Sequence, residues 1–210
     1  MDTTTPPETA YAFDDPENPD FVSGEKIATV AGGTLLAGLI GGGIYFGVAQ
    51  VYDSLVYVPI GVSLVVAGIL SVFFKRAKLR ASVPVVVCGV LAGLLAFAFR
   101  FELTGLQRQK FLVVIRTFEK HDRFPDADHS KLFAEAKREI TPLNVAWVYI
   151  DTVAKSGVSI KRGFGSGKGE TVDENGYKFR LLVSALICSG GAASVLHGFL
   201  HPKANGDVTE

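Results

Sequence analysis

Charged residues are segregated from apolar ones along this chain, and the segregation leaves four long apolar segments. No Asp, Glu, Lys or Arg occurs in residues 27–51, 54–74, 83–99 and 181–200. A helix needs about 20 mostly apolar residues to cross a bilayer core of about 30 Å. Buried helices of a soluble protein would carry a polar stripe, and these segments carry none. The pattern therefore predicts an all-α membrane protein with four transmembrane helices.

These segments divide the chain into membrane and extramembrane parts. We expect three transmembrane helices in residues 26–100, an extramembrane segment in residues 101–179 and a fourth transmembrane helix in residues 180–201. Residues 1–25 contain seven acidic residues, four prolines and no basic residue, which is typical of a disordered tail. They lack the basic start of a secretory signal, so the first helix is expected to be an uncleaved anchor. Residues 202–210 are expected to be a short polar tail.

Apolar residues recur at helical spacing in the extramembrane segment, so we expect it to be mostly helical and folded. The first stretch continues the third transmembrane helix, with an apolar face formed by Leu103, Leu106, Phe111, Val114 and Phe118. A second short helix presents Leu132, Phe133, Ala136 and Ile140. A third helix, capped by Thr141 with Pro142 at its first position and ended by Gly157, presents Leu143, Ala146, Trp147, Ile150 and Ala154.

Two further expectations concern the same segment. Trp147, the single tryptophan, lies on the apolar stripe of the third helix, so we expect this side chain to be docked rather than solvated. Residues 158–160 and 177–179 are expected to pair as short strands, with Asn175 and Gly176 in the turn between them.

The turn between the second and third transmembrane helices predicts the orientation, since it carries Lys75, Arg76, Lys78 and Arg80. Short basic loops stay in the cytoplasm, so both termini are expected there and residues 101–179 on the opposite side. Cations also flank the long segment and favour the reverse orientation, but long loops are translocated largely regardless of charge. The net charge is zero, which gives no basis for nucleic-acid binding and leaves the bilayer as the expected partner.

Three short motifs resemble those of a set of small bacterial four-helix membrane proteins to which no activity is attached. The motifs are Tyr57-x-Pro59, Lys75-x-x-Lys78-x-Arg80 and the hexapeptide Gly157-Val158-Ser159-Ile160-Lys161-Arg162. The resemblance covers residues 45–195. It implies a multi-pass protein of the bacterial inner membrane and carries no chemistry.

Clusters of metal-binding residue types occur in two places. The first, in a turn, contains His121, Asp122, Asp126, Asp128 and His129. Its spacing fits no calcium loop, and the aspartates are suited to cap the following helix, so no metal is predicted there. The second is the pair His197 and His201, which share a helix face; two ligands make no site, and interfacial histidines are the preferred interpretation.

Other candidate chemistry is also discounted. The run of glycines from Gly163 to Gly169 has a glycine after Lys168 where a phosphate loop needs Ser or Thr, so a connector is the better interpretation. Cys88 and Cys188 both fall in predicted transmembrane helices and are expected to behave as small apolar residues. We therefore expect no catalytic residue, no metal and no cofactor.

Glycines four residues apart suggest close helix packing in the first and third transmembrane helices. They are Gly38, Gly42, Gly43, Gly47, Gly89 and Gly93. Inside lipid, helices associate where small residues let the backbones approach. Packing within the chain is favoured here over dimerisation.

Three hypotheses for function follow from these observations. The first is a non-enzymatic structural or interaction protein whose extramembrane segment binds a partner protein or a second copy. The second is a subunit of a small oligomeric channel or transporter, although the transmembrane helices contain no ionisable residue before His197. The third is a membrane-embedded enzyme that uses Glu102, His121 or His129 at the interface.

The orientation can be tested by cysteine labelling. Lys78→Cys should resist a membrane-impermeant thiol reagent in intact cells, because the basic turn is expected to lie in the cytoplasm. The same variant should react in permeabilised cells, which controls for the reactivity of the thiol. Ready labelling in intact cells would reverse the predicted orientation.

Overall fold

The computed structural model describes residues 24–52, 54–79, 82–156, 158–160 and 170–200. In this part of the chain the elements are, in order, α1 (Gly24–Val51), α2 (Tyr57–Arg76), α3 (Val83–Arg123), α4 (His129–Glu139), α5 (Val145–Ser156), β1 (Val158–Ile160), β2 (Glu170–Val172) and α6 (Glu174–Leu200). Four of the helices, α1, α2, α3 and α6, are long and apolar enough to cross a membrane. The prediction of four such helices is confirmed.

The four long helices form a bundle in which α1 and α6 each pack against both α2 and α3. A Cβ atom added at Gly38 would touch Leu95, and one added at Gly42 would touch Phe99, so α1 and α3 run parallel. Ser184 Oγ donates a hydrogen bond of 3.2 Å to the Leu55 carbonyl, which places the start of α2 beside the first half of α6.

Helices α3 and α6 run in opposite directions. An added Cβ at Gly89 would lie 2.7 Å from Ala193 Cα, and one at Gly93 would lie 2.6 Å from Ser189 Cα. The start of α1, the end of α6 and the turn after α2 therefore meet at one end of the bundle. That turn contains Lys78, whose φ of 55° is in the left-handed region, and the exposed cations Lys75 and Arg76; Arg80 lies outside the described residues.

Large apolar side chains fill the middle of the bundle, as expected for helices that bury one face and leave the other to lipid. The largest of them with full burial are Tyr45, Val66, Leu70, Phe74 and Leu196. The opposite faces expose Leu35, Leu64, Leu91 and Leu186. An outward face of this composition is the one that a hydrocarbon environment would surround.

The six glycines singled out from the sequence divide into two groups. Gly38, Gly42, Gly89 and Gly93 lie at helix contacts, where an added Cβ would come within 2.8 Å of a neighbouring helix. At Gly43 and Gly47 an added Cβ would meet nothing within 4 Å. The packing interpretation was wrong for these two, because they lie on the side of α1 that faces away from the bundle.

Beyond the bundle, the second half of α3 combines with α4 and α5 into a cap. Leu112 and Val113 of α3 pack with Ala136 and Ile140 at the end of α4, and with Val145 at the start of α5. A Cβ at Gly105 would lie 2.8 Å from the Val145 carbonyl oxygen. The backbones of α3 and α5 therefore approach as closely as a glycine allows.

Helix α3 changes the side that it buries where it leaves the bundle. Residues eighteen apart share one side of a helix, because eighteen residues complete about five turns. Gly93 is buried in the bundle, whereas Phe111, directly above it, is 58% exposed. Leu94 is 42% exposed, whereas Leu112 is 1% exposed under the cap. The cap therefore packs on the side of α3 that is exposed lower down.

This change overturns the predicted apolar face of the α3 extension. Leu106, Phe111, Val114 and Phe118 are exposed, and Phe133 of α4 is exposed too. The buried positions of the extension are instead Phe101, Gly105, Leu112, Val113 and Thr117. The apolar periodicity predicted the helix correctly. The helix carries two apolar faces, however, and the one with the smaller residues is buried against α4 and α5.

The predicted docked face of α5 is correct at Ala154, which is buried, but wrong at the start of the helix. Leu143 is 97% exposed and Trp147 is 71% exposed, so the tryptophan is not docked within the chain. The helix packs through Val145, Val148 and Tyr149 instead, and the Val145 backbone lies against Gly105.

Two boundaries differ from the sequence-based expectation. Tyr177–Phe179 form no strand, because α6 begins at Glu174, and β1 pairs antiparallel with Glu170–Val172 instead. Thr141 does not cap α5, which begins at Val145. The Thr141 amide instead donates a hydrogen bond of 2.9 Å to Oδ1 of Asn144, the residue before α5. Residues 1–23, Gly157, the run 163–169 and the tail 202–210 lie outside the described part of the chain.

Two adjacent glycines of α1 offer a matched test of the packing. Gly42→Ile should destabilise the detergent-extracted protein, because its Cβ would lie 2.8 Å from both the Ala96 carbonyl oxygen and Phe99 Cβ. Overpacking of this kind costs about 1–3 kcal/mol. Gly43→Ile makes the same chemical change in open space and should melt close to wild type. Equal losses of thermal stability in both variants would contradict the arrangement of α1.

Candidate functional site

The turn between α3 and α4 brings together two of the residues considered for a metal. The rings of His121 and His129 lie 5.9 Å apart between centroids, and Phe118 meets His129 edge-on at 6.1 Å. Among the described residues, no group of three or more His, Cys, Asp or Glu side chains is arranged to hold a metal ion.

Asp128 has a different task in that turn. Its Oδ1 accepts hydrogen bonds from the Ser130 amide at 2.9 Å and from the Ser130 hydroxyl at 2.8 Å, which caps α4. These two bonds hold the pKa of the Asp128 carboxyl below its ordinary value. Asp122 and Asp126 are exposed in the same region. Asp128 thus caps α4, as the sequence suggested, whereas Asp126 has no such role in the cap.

The other candidates are not assembled into a site. Glu102 and His121 lie on one helix, about 28 Å apart along its axis, so they cannot act on one substrate group together. His197 is exposed near the end of α6, and His201 lies beyond the described residues. The glycine-rich run 163–169 is likewise not described.

A column of aromatic rings and arginines joins the bundle to the cap, and sequence analysis missed it. The Arg100 guanidinium lies 4.3 Å from the ring centroid of Tyr45 on α1 and 5.0 Å from that of Phe101. The Phe97 ring lies edge-on to Phe101 at 5.0 Å and tilted to Tyr45 at 6.5 Å. Cation–π contacts of this kind strengthen where water is excluded.

The column continues into α5. The ring of Tyr149 lies 6.4 Å from that of Phe101, and the Arg108 guanidinium lies 5.9 Å from the Tyr149 ring. Aromatic residues four apart with an adjacent arginine, as at positions 97, 100 and 101, were the only available signal. These ring and arginine contacts hold the part of the cap nearest the bundle against it.

Ion pairs fasten the cap helices to α3 further from the bundle. Arg116 donates to Asp151 of α5 at 3.1 Å and to Glu119 at 2.7 Å, and Lys155 donates to Asp151 at 2.8 Å. The hydrogen bond from Lys155, together with the charge of Arg116, holds the pKa of Asp151 below its ordinary value of 3.8. Because Lys155 lies on α5 itself, only the part of this effect that comes from Arg116 depends on the docking of α5 against α3.

A second pairing fastens α4. Lys120 Nζ lies 2.6 Å from a Glu139 carboxylate oxygen and 3.1 Å from one of Glu135. The hydrogen bond to Glu139 is the main reason that the pKa of Lys120 is raised. Gln109 also donates to the Ile140 carbonyl at 3.1 Å. With charged contacts on both α4 and α5, the cap is fixed to α3 from two sides.

The remaining side of the α3 extension is uncovered and apolar. Phe111, Val114 and Phe118 are 58%, 41% and 57% exposed, and their spacing of three and four residues places them on one stripe. We call these three residues the open stripe. Val114 and Phe111 stand above Ala96 and Gly93, which face the interior of the bundle.

The stripe rises above the ends of the neighbouring helices. By the register of Gly42 on Phe99, the last residue of α1 is level with Arg108. By the register of Gly93 on Ser189, the first residue of α6 is level with the same position. The open stripe begins one turn higher on α3, above the level at which α1 ends and α6 begins. It is an apolar stripe of the cap that no described element covers.

Comparison with protein-family models, curated proteins and solved structures finds no match for this chain. The interpretation of the site therefore rests on its geometry.

The pairing of Asp151 predicts a pH-dependent contribution to stability. Because its pKa is lowered in the folded protein, Asp151 stabilises the fold above the ordinary carboxyl value of 3.8 and loses this effect as the pH falls through the folded value. Asp151→Asn should lower stability at pH 7 by up to about 1 kcal/mol, since the pair is partly solvated.

The measurement is the melting temperature of each protein in detergent between pH 7 and pH 3. The gap between wild type and Asp151→Asn should close as the pH drops below about 4. Asp122→Asn, a change at an exposed carboxylate on α3, is the control and should follow wild type throughout. A gap that persists unchanged at low pH would show that the charge of Asp151 does not hold α5.

Proposed function

We propose that this chain is a multi-pass membrane protein whose bundle anchors a cap, and that the cap binds a partner protein through the open stripe. The bundle supports the membrane part of the proposal, because four helices of sufficient length expose apolar side chains on their outer faces. The basic turn at Lys75, Arg76 and Lys78 favours cytoplasmic termini and a cap on the opposite side. The bacterial inner membrane is the expected location.

The observation that carries the binding proposal is the open stripe itself. Its residues occur at positions i, i+3 and i+7, the spacing by which helices anchor in one another. A water-facing helix gains nothing by aligning two phenylalanines and a valine, and α3 already buries its other side under α4 and α5. Exposed apolar patches on a fixed scaffold typically mark protein interaction sites.

The fixed position of the stripe supports the same proposal. Helix α3 continues without a break from the bundle to Arg123, and α4 and α5 brace it with apolar contacts and ion pairs. Because the stripe is already held in place, its side of the interface loses little conformational freedom when a partner binds. This lowers the free-energy cost of association. The cap presents a prepared surface rather than a disordered segment.

The chemistry of the partner follows from the surroundings of the stripe. Lys110 is exposed beside its lower end. An amphipathic helix with an apolar face and an acidic residue at one end would match both the stripe and this cation. The expected occupant is another protein, because none of the chain's described elements covers the stripe.

The two alternative functions have weaker support. A channel needs a polar path, and the described surfaces that the four long helices bury are mostly apolar, with four serines on α2 and α6 (Ser63, Ser71, Ser184 and Ser189) and no charged residue. An enzyme at the interface needs its groups together, and Glu102 lies far from His121 and His129 along α3. Both alternatives stay hypotheses.

Site-specific photo-crosslinking in membranes tests the proposal. A photoreactive phenylalanine at position 118 should give one defined protein adduct, because that ring faces the partner. The same residue at Leu106 is the matched control; Leu106 is also exposed, but it lies about a third of a turn around the same helix from Phe118. It should give no such adduct.

A competing substitution makes the result specific. Phe111→Ser, introduced with the crosslinker at position 118, should abolish the adduct while leaving thermal stability near wild type, since Phe111 is exposed. An adduct of twice the chain mass would replace the partner protein by a second copy. Equal crosslinking from positions 118 and 106, or none from either, would overturn the open stripe as a binding site.

A further inference from the structure

Helix α5 is attached to the side of α3 that faces outward lower in the bundle. Val87 and Leu94 are 48% and 42% exposed, and no described element covers them. Gly105 and Leu112 lie on the same side, eighteen residues further along, and these positions carry α5. Helix α5 therefore overhangs the surface that surrounds Val87 and Leu94. Under the proposed function that surface is lipid.

The height of α5 coincides with the edge of the bilayer. A hydrocarbon core of about 30 Å corresponds to about 20 residues of α3, from Val83 to residue 102. Gly105, where the α5 backbone touches α3, is then about 5 Å beyond the core. The headgroup layer is roughly 5–7 Å deep on each side, so α5 starts within it.

The two edges of α5 differ as a helix at the membrane surface requires, since one edge is apolar and the other is charged. Tyr149 lies against Phe101, toward the bundle, and Ala146 and Val153 share that edge at spacings of three and four. Asp151 and Lys155 lie on the other edge, which is directed toward Arg116 and away from the bundle. The edge nearer the bilayer is thus apolar and the edge nearer water is charged.

Two exposed residues at the start of α5, one in the helix and one just before it, add a third indication. Leu143 and Trp147 are the two most exposed large apolar residues of the cap, at 97% and 71%. Tryptophan is enriched at membrane interfaces, because its ring is apolar and its indole N–H finds polar partners. In water, the exposed apolar surface of these two residues would cost free energy with no favourable contact to offset it. Among lipid headgroups, contacts with the lipid would offset that cost.

We propose that α5 is an interfacial helix that binds the phospholipid surface beside the bundle. Its Ala146–Tyr149–Val153 edge faces the acyl chains, and Trp147 lies among the headgroups. The occupant of this face is lipid, not protein, which separates it from the open stripe on the far side of α3. The inference rests on the membrane part of the proposed function. It also gives the cap a second attachment, which holds the open stripe at a set height above the bilayer.

Trp147 is the only tryptophan, so its fluorescence reports on α5 directly. The full chain is reconstituted in phosphatidylcholine vesicles whose acyl chains carry bromine either near the glycerol or near the middle of the chain. Trp147 emission should lose substantial intensity to the shallow bromines and less to the deep ones. Aqueous iodide should quench it weakly.

Two variants in a Trp147→Phe background provide matched controls. Leu91→Trp, on the outward face of α3 about 12 Å from its start, should be quenched best by the deep bromines. Phe118→Trp, on the open stripe, should be quenched by iodide and by neither brominated lipid. All three probes occupy exposed positions, and the one described contact that they alter is the edge-on contact of Phe118 with His129.

The outcomes separate this inference from the proposed function. If iodide quenches Trp147 fully and bromine does not, while Leu91→Trp responds to the deep bromines, α5 stands clear of the membrane and the inference is overturned. Insensitivity of Trp147 to both quenchers would place it against protein and overturn it as well. If bromine quenches none of the probes, the bundle is not in lipid, and the membrane part of the proposed function fails with it.

Discussion

The arrangement of this protein depends on one continuous helix that buries different sides at different heights. Over its 41 residues, α3 spans about 60 Å, and its lower half buries Gly93 and Ala96 while its upper half buries Gly105 and Leu112. The change has a simple cause: α1 and α6 lie against one side and end level with Arg108, whereas α4 and α5 attach to the other side. Every surface discussed above results from this offset.

The offset creates two different surfaces on the cap. On the side above the bundle interior, no described element covers α3, and the open stripe is exposed; we propose that a partner protein binds there. On the outward side, α5 lies at the height where we propose that it meets the lipid headgroups. The column from Tyr45 through Phe101 to Tyr149 and the pair between Arg116 and Asp151 join the bundle, α3 and α5.

The four long helices could be predicted from the segregation of charged residues in the sequence, because the bilayer imposes both length and composition on a helix. Asp128 could also be interpreted correctly, since capping is a local interaction. The faces of α3 and α5 could not. Phe111 and Leu112 are equally apolar neighbours, and only the position of other helices decides which is buried. Gly43 and Gly42 pose the same problem, because adjacent glycines look alike until a neighbour approaches one of them.

The change of buried side along α3 is the central claim, and spin labels scanned along this helix in reconstituted vesicles measure it most directly. Accessibility to oxygen, which concentrates in lipid, should peak at Val87, Leu91 and Leu94. Accessibility to a water-soluble paramagnetic complex should peak at Phe111, Val114 and Phe118, with the helical period of about 3.6 residues reversed in phase between the two halves. A single phase maintained from Val83 to Arg123 would contradict the account.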